Sequence, residues 1–241
     1  NVARSFYFTP VAEDEILTEI MLTPSNKSYG LYSCSVNILK LSKYIISKPL
    51  VTIINNSIQS GVYPSKLKIS KIIPIFEADD ETNPNNYGPI SLFSVFNRII
   101  KKIVYNRLLR FIEEHKIFIS KQYGFRKAHS TTHTILHVVS NIQANMDNKL
   151  FSCAVFIDLQ KALDTVDHSI LTDKLNYYGI RGRINDCFKS YFEGRSQTTR
   201  IDNYISNKEI NSYGVPQGSV LGPLLFLLYI NDITKVSALL K

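Results

Sequence analysis

Ala154-Val155-Phe156-Ile157-Asp158-Leu159-Gln160-Lys161-Ala162-Leu163-Asp164 is a short apolar run that delivers the chain into a carboxylate, followed by a polar turn that carries a second one. Val, Phe and Ile suit a pleated, packed surface, so the run predicts a strand ending at Asp158. A carboxylate at the end of a buried strand faces the mouth of a site, where it can hold a Mg²⁺ ion with positions open to phosphate oxygens. The competing reading of an isolated Asp in such a place is a helix cap. Immediately downstream, Thr165-Val166-Asp167 opens a helix of pattern Ile170, Leu171, Leu175, Tyr178, closed by Gly179.

Further along, Gly214-Val215-Pro216-Gln217-Gly218-Ser219 reads as a tight, glycine-flanked loop running into a buried helix from Val220 to Ile230. Upstream, apolar residues at Ile100, Ile103, Val104, Leu108, Phe111 and Ile112 predict a helix within Asn97 to Phe118, with Arg98, Lys101, Lys102, Arg107 and Arg110 between them. Lys71 to Phe76 suits a strand and Asp79 to Asn86 a loop, which together suggest a hairpin-like projection. Nearer the start, helices are expected around Glu13 to Leu22 and from Val36 to Gln59. The turn-rich stretch Pro24 to Gly30 separates them, and Gly61 with Pro64 stops the second. No internal repeat or low-complexity tract is present.

With 241 residues, 44% of them apolar, the chain can build one large core or two small ones, which excludes wholesale disorder. The longest nearly unbroken apolar stretch, Leu221 to Ile230, is interrupted by Gly222 and Pro223 and falls well short of the roughly twenty residues that span a bilayer, so no membrane partner is expected. Cys34, Cys153 and Cys187 are widely spaced, which excludes a disulfide framework and a local zinc ribbon and suits a reducing, intracellular compartment. A first residue of Asn1, without a signal-peptide pattern behind it, reads as part of something longer. The formal charge is +8, and the stretch from Lys40 to Lys127, with fifteen basic and six acidic residues, by itself accounts for +9. Such a regional excess is a footprint for polyanions, with nucleic acid ahead of membrane, although a merely solvated Lys-rich surface would look similar.

Several kinds of site fail on spacing. Gly218-Ser219-Val220-Leu221-Gly222 is no nucleophile elbow, and neither a phosphate-binding P-loop nor a dinucleotide-binding glycine pattern occurs. His129, His133 and His137 would share a helical face, yet no acidic or Cys partner lies near them in sequence, so no structural zinc is expected.

Phe156-Ile157-Asp158 through Asp164-Thr165-Val166-Asp167-His168, then Gly179-Ile180-Arg181-Gly182, Gly214 through Phe226, and Tyr229-Ile230-Asn231-Asp232 together resemble the reverse transcriptase of non-LTR retrotransposons, especially the jockey-like group. Asn86-Tyr87-Gly88-Pro89-Ile90-Ser91-Leu92 and Gln122-Tyr123-Gly124-Phe125-Arg126 with Ser130-Thr131 resemble upstream blocks of the same family, in the same order. The resemblance implies an α+β, right-hand polymerase. Its expected parts are an N-terminal helical extension over residues 1–60, fingers over 61–150, and a partial palm over 151–241 that ends before an aromatic-Ala-Asp-Asp turn, with the thumb absent. It implies RNA-templated DNA synthesis, in which two Mg²⁺ ions activate a primer 3′-hydroxyl and steady the leaving pyrophosphate. The partners would be an RNA template, a DNA primer and deoxynucleoside triphosphates, and the setting a cytoplasmic ribonucleoprotein and the nucleus.

By the same likeness, Asp158 and the Leu159 carbonyl would ligate metal, with the second metal site incomplete in this chain. Leu163, Gln217 and Gly218 would line the nucleotide pocket, and Arg98, Lys101, Lys102 and Arg126 would face nucleic acid. Glu77 and Gly88 stand where the family places basic, triphosphate-holding side chains, and Leu163 where it places a Phe that gates the ribose 2′-hydroxyl. Tyr32 stands near a usual Asp, in a block matched only as Lys27-Ser28-Tyr29-Gly30-Leu31-Tyr32. These lapses suggest a decaying copy, with little or no polymerase activity expected of the chain itself. The alternatives are a non-enzymatic RNA-binding remnant and the polymerase of a group II intron maturase.

Overall fold

The computed structural model describes residues 4–25, 30 and 34–234. Of the Lys27 to Tyr32 block only Gly30 falls within them.

The N-terminal third is helical. Helix α1 (Glu13–Leu22) buries Ile16, Glu19 and Ile20. The single helix expected from Val36 to Gln59 is in fact two, α2 (Val36–Leu41) and α3 (Lys43–Ser60), broken at Ser42. The Ser42 hydroxyl donates back to the Ile38 carbonyl at 2.8 Å, a local bond that competes with helix continuation. Gly61, at φ 72, closes α3.

Strands β1 (Ile69–Phe76) and β2 (Tyr87–Leu92) form the expected hairpin, in register from Lys71 opposite Leu92 to Phe76 opposite Tyr87. Pro74 faces Pro89. Both are tolerated because β2 is an edge strand and β1 pairs its other neighbour only from Ile69 to Ile72, leaving Pro74 with no bond to donate on that side.

Helix α4 (Val95–Glu114), capped by the Ser94 hydroxyl, is the central pillar. Its stripe of Ile99, Ile100, Ile103, Val104, Leu108, Phe111 and Ile112 recurs every three or four residues and is buried along its length. Helix α5 (Thr131–Asp147) differs, since none of its residues is buried and Ile135, Val139, Ile142 and Met146 lie exposed along one side.

Helix α6 (His168–Tyr177) begins where expected, with the Asp167 carboxylate accepting from the Ile170 N–H at 2.9 Å. Helix α7 (Arg183–Phe192) follows and leads into β3 (Ser196–Ile201), which pairs parallel to β1 and antiparallel to the short β4 (Tyr204–Ile205) and β5 (Glu209–Ile210). Helix α8 (Leu221–Ile230) buries Leu221, Leu224, Leu225, Leu227 and Leu228, apolar on nearly every side as a fully enclosed helix must be.

One central expectation fails. Residues 151–159 form no strand, and Val155, Phe156 and Ile157 are 81%, 90% and 76% exposed. A strand exists only through its partners, and among the described residues none pairs with this run. Asp158 consequently lies exposed on irregular backbone rather than at the end of a buried strand.

Candidate functional site

The loop Gly214-Val215-Pro216-Gln217-Gly218-Ser219 is fastened from three directions. The Gly214 N–H donates to the Val166 carbonyl (2.8 Å) and the Val215 N–H to the Leu163 carbonyl (2.7 Å), which zips the loop onto the turn that follows Asp158. The Ser91 N–H, from β2, donates to the Gln217 carbonyl (3.1 Å). At the head of α8 the Ser219 hydroxyl accepts the Gly222 N–H (2.9 Å). Glycine is required at position 214 in particular. Its φ is 82, and a Cβ there would meet the Asp164 carbonyl oxygen at 2.7 Å and Cα at 2.9 Å, backbone atoms that cannot swing away.

The side chains add two more ties. Gln217 Nε2 donates to Asp164 Oδ2 (3.1 Å), and the His168 ring nitrogen Nε2 lies 2.8 Å from the Gly214 carbonyl, which assigns the proton to Nε2. Burial raises the Asp164 carboxyl above the usual value, opposed by the Gln217 hydrogen bond and by Lys161. For His168, stacked on Phe192 at 4.6 Å, burial lowers the value, opposed by the Gly214 bond and reinforced by Arg195. Both residues thus favour their neutral forms beside the loop.

The loop, the β1–β2 hairpin and β3 enclose a cleft of about 290 Å³, whose walls include Ser91, Asp164, Arg195, Gln197, Asn211 and Gln217. It is large enough for a base or a sugar and is lined mainly by hydrogen-bonding groups, an arrangement that positions a polar ligand rather than burying an apolar one.

Of the three residues expected at a nucleotide pocket, Gln217 lines this cleft, while Leu163 and Gly218 adjoin its walls in sequence and are not part of its lining. Leu163 is half-buried and packed on the core, while Gly218 is exposed at φ 78 and sits over Ile90 and Ser91. Glu77 and Gly88 lie together at the hairpin, where the Glu77 N–H donates to the Asn86 carbonyl at 3.0 Å and the Glu77 carboxylate lies against the Gly88 Cα. Asp158 and Leu159 stand on the exposed segment described above and are not drawn into this set of bonds. Among the described residues no three His, Cys, Asp or Glu side chains group as metal ligands. His129 and His137 flank the Tyr123 ring instead, at 5.8 and 6.2 Å.

The basic positions do not form a stripe on the surface. Lys101 is a correction: expected against nucleic acid, it is 1% exposed, with its ammonium 3.3 Å above the Phe93 ring. Arg98 is half-buried, Lys102 Nζ lies 4.9 Å over Tyr105, and Arg126 staples its own loop to the Ile119 and Gln122 carbonyls. Arg107 is held in an ion pair with Glu15 at 2.6 Å. Helical spacing told which positions alternate with the core but not which neighbouring element would cover them. Asp164, Ser91, Arg195, Gln197 and Asn211 are cleft residues that sequence reading left without a role. The first two lay inside quoted blocks, whereas Arg195 carries no local signal at all.

Asn231, in the Tyr229 to Asp232 block, is structural: its side chain accepts from the Ile119 N–H (3.1 Å) and donates to the Ile117 carbonyl (2.9 Å). No helix among the described residues is long and apolar enough to cross a membrane.

Residues 78–238 match a family model described as reverse transcriptase (RNA-dependent DNA polymerase). The chain is 33% identical over 231 residues to a probable RNA-directed DNA polymerase from transposon BS of Drosophila melanogaster, covering 93% of the chain and 25% of that protein. It is 31% identical over 236 residues to the probable polymerase of the X-element and 29% identical over 229 residues to the RNA-directed DNA polymerase of mobile element jockey, both from the same species. Those matches cover 94% and 95% of the chain and again 25% of each relative. The chain thus spans about a quarter of the length of the curated relatives it matches.

Proposed function

The chain belongs to the reverse transcriptase family, and from that premise we propose that it supplies the nucleotide-side and template-side wall of an RNA-directed DNA polymerase of the non-LTR retrotransposon kind. In this reading residues 1–60 extend the fingers, 61–150 form them, and the palm begins at 151. The observation that supports it best is the placement of Gln217, whose carbonyl is tied to β2 and whose side chain is tied to Asp164. That double tie holds the loop in place beside a polar cleft, next to the exposed Gly218. Leu163 would lie beneath the sugar.

The family acts on templates and primers and uses divalent metal ions. The residue proposed to ligate such an ion is Asp158, with the Leu159 carbonyl beside it. A lone exposed carboxylate does not make a two-ion site, and the described residues bring no second one to it.

For the chain taken alone, a second reading has support of its own: it binds template and primer without transferring nucleotide. The isolation of Asp158, together with Glu77 at a place the resemblance assigns to a basic side chain, favours it. The test is to titrate an RNA template annealed to a DNA primer against the wild-type chain and Asp158→Ala, and to assay primer extension with Mg²⁺ and deoxynucleotides. Equal binding by both proteins with no extension by either supports binding alone, and extension that Asp158→Ala abolishes supports a complete polymerase. Absence of binding by the wild-type chain refutes both.

A further inference from the structure

Among the described residues, the core between α4 and α7 holds two basic side chains and no acidic one. Lys101, 1% exposed, places its amine 3.3 Å over the face of Phe93 and 5.2 Å from the Tyr191 ring centre. Arg195, 3% exposed, places its guanidinium 5.0 Å from the same Tyr191 ring, with the Tyr191 hydroxyl at 3.5 Å. Among the described residues Lys101 Nζ has no hydrogen-bond partner, and neither cation takes part in an ion pair.

The ionisable groups around Lys101 come from every element packed there. They are Tyr63 before β1, Arg98 on α4 itself, Cys187 and Tyr191 on α7, and Arg195 at the head of β3. Beyond Arg195 lies His168. None of these is a carboxylate, and Tyr63, Tyr191 and Cys187 are themselves held neutral by burial. The void beside Lys101, about 20 Å³, has room for a single water, which does not replace the hydration shell of an ammonium. Aromatic faces attract a cation, but less than burial beside a second cation penalises it. Buried lysines in such surroundings give up the proton.

We propose that Lys101 enters the core as a neutral amine, so that packing of α4 against Phe93 and α7 releases a proton and tightens as the pH rises. Arg195, which shares the Tyr191 ring with Lys101, lines the cleft wall, so the same proton bears on how firmly that wall is held. The sign follows from linkage: a Lys neutral when folded and charged when unfolded binds one proton more in the unfolded state. Stability from this residue is therefore lowest at acid pH and grows through the alkaline range, by about a tenfold change in the folding constant per pH unit until the unfolded side chain also titrates.

The proposal is tested by thermal unfolding of the full chain from pH 7 to pH 10, comparing wild type with Lys101→Met. Wild type gains stability relative to Lys101→Met as the pH rises. A wild-type-to-Met difference that does not change with pH overturns the proposal. If the variant does not fold, a ¹⁵N-lysine titration of the unmodified chain decides: a Lys101 nitrogen neutral at pH 8 supports the proposal, and one protonated through pH 10 overturns it.

Discussion

The carboxylate of Glu77 occupies the space that a side chain on Gly88 would need: a Cβ built on Gly88 would lie 3.0 Å from Glu77 Cδ and would collide with Oε1. These positions, expected from the resemblance to bear basic, triphosphate-holding groups, are therefore in direct contact. Because the obstructing atom ends a flexible, exposed side chain, Gly88→Arg would displace Glu77 rather than break the hairpin, and the new guanidinium would then lie next to that carboxylate.

Gly88→Arg alone is accordingly expected to bind a fluorescent deoxynucleoside triphosphate little better than wild type, its charge being neutralised by Glu77. Added to Glu77→Lys, the same change should tighten binding by about tenfold or more, the scale of a hydrogen bond to a charged group. A fluorescence titration of both single variants and the double variant measures the coupling, and strictly additive effects would contradict the pairing.

Gly214→Ala is expected to destabilise the chain by about 2 kcal/mol or more, because it combines a positive φ with contact against the Asp164 backbone. Gly182→Ala, at φ 63 with nothing within 4 Å, should cost only the conformational strain, about 1 kcal/mol. In a thermal melt the first should lower Tm by about 4–8 °C and the second by about half as much. Equal shifts would show that the zipping of the loop onto Leu163 and Val166 does not matter to stability.

Asp164 and His168, shifted by burial in opposite directions, give opposite pH dependences. Asp164, raised above its ordinary value by burial, adds stability at acid pH that is lost as the pH climbs through its folded value. His168, lowered by burial, removes stability as the pH falls below its ordinary value of 6.5. Asp164→Asn, which keeps an acceptor for Gln217, should therefore gain stability relative to wild type as the pH is raised from 4 toward 7. His168→Gln should flatten the loss of stability below pH 6.5. Melting curves across that range check both, and profiles parallel to wild type would count against these assignments.

The exposed apolar run from Phe151 to Ile157 and the uncovered face of α5 form surfaces that soluble chains rarely leave open. Concentration-dependent association is expected, and Val155→Lys with Phe156→Ser should reduce it without lowering Tm, because neither side chain packs on the core. Light scattering across a concentration series reads the effect, and unchanged association would place the contact elsewhere.

What could be seen in the sequence was whatever a few neighbouring residues decide. The cap at Asp167, the stripe along α4, the β1–β2 hairpin and the enclosed α8 all rest on local pattern. What could not be seen depends on partners far along the chain. Val155 to Ile157 has the composition of a strand yet finds no strand to pair with among the described residues, and β3 forms because Ile69 to Ile72 lies ready to receive it. The basic residues of α4 read as one face, but α1 covers Arg107 and α7 covers Lys101. The cleft followed the same rule: Gln217 was marked by its block, whereas Arg195 and the Asp164 tie exist only in three dimensions.

The most direct test of the central claim, that the Gln217 loop faces nucleic acid, is fluorescence anisotropy with a labelled RNA template annealed to a DNA primer. Wild type should bind with an affinity that falls as salt rises, as phosphate contacts require. Gln217→Ala should bind about threefold to tenfold more weakly, the scale of one lost hydrogen bond. Lys48→Ala, an exposed basic position on α3 outside the cleft wall, should bind as wild type does. Binding by Gln217→Ala indistinguishable from wild type would contradict the claim.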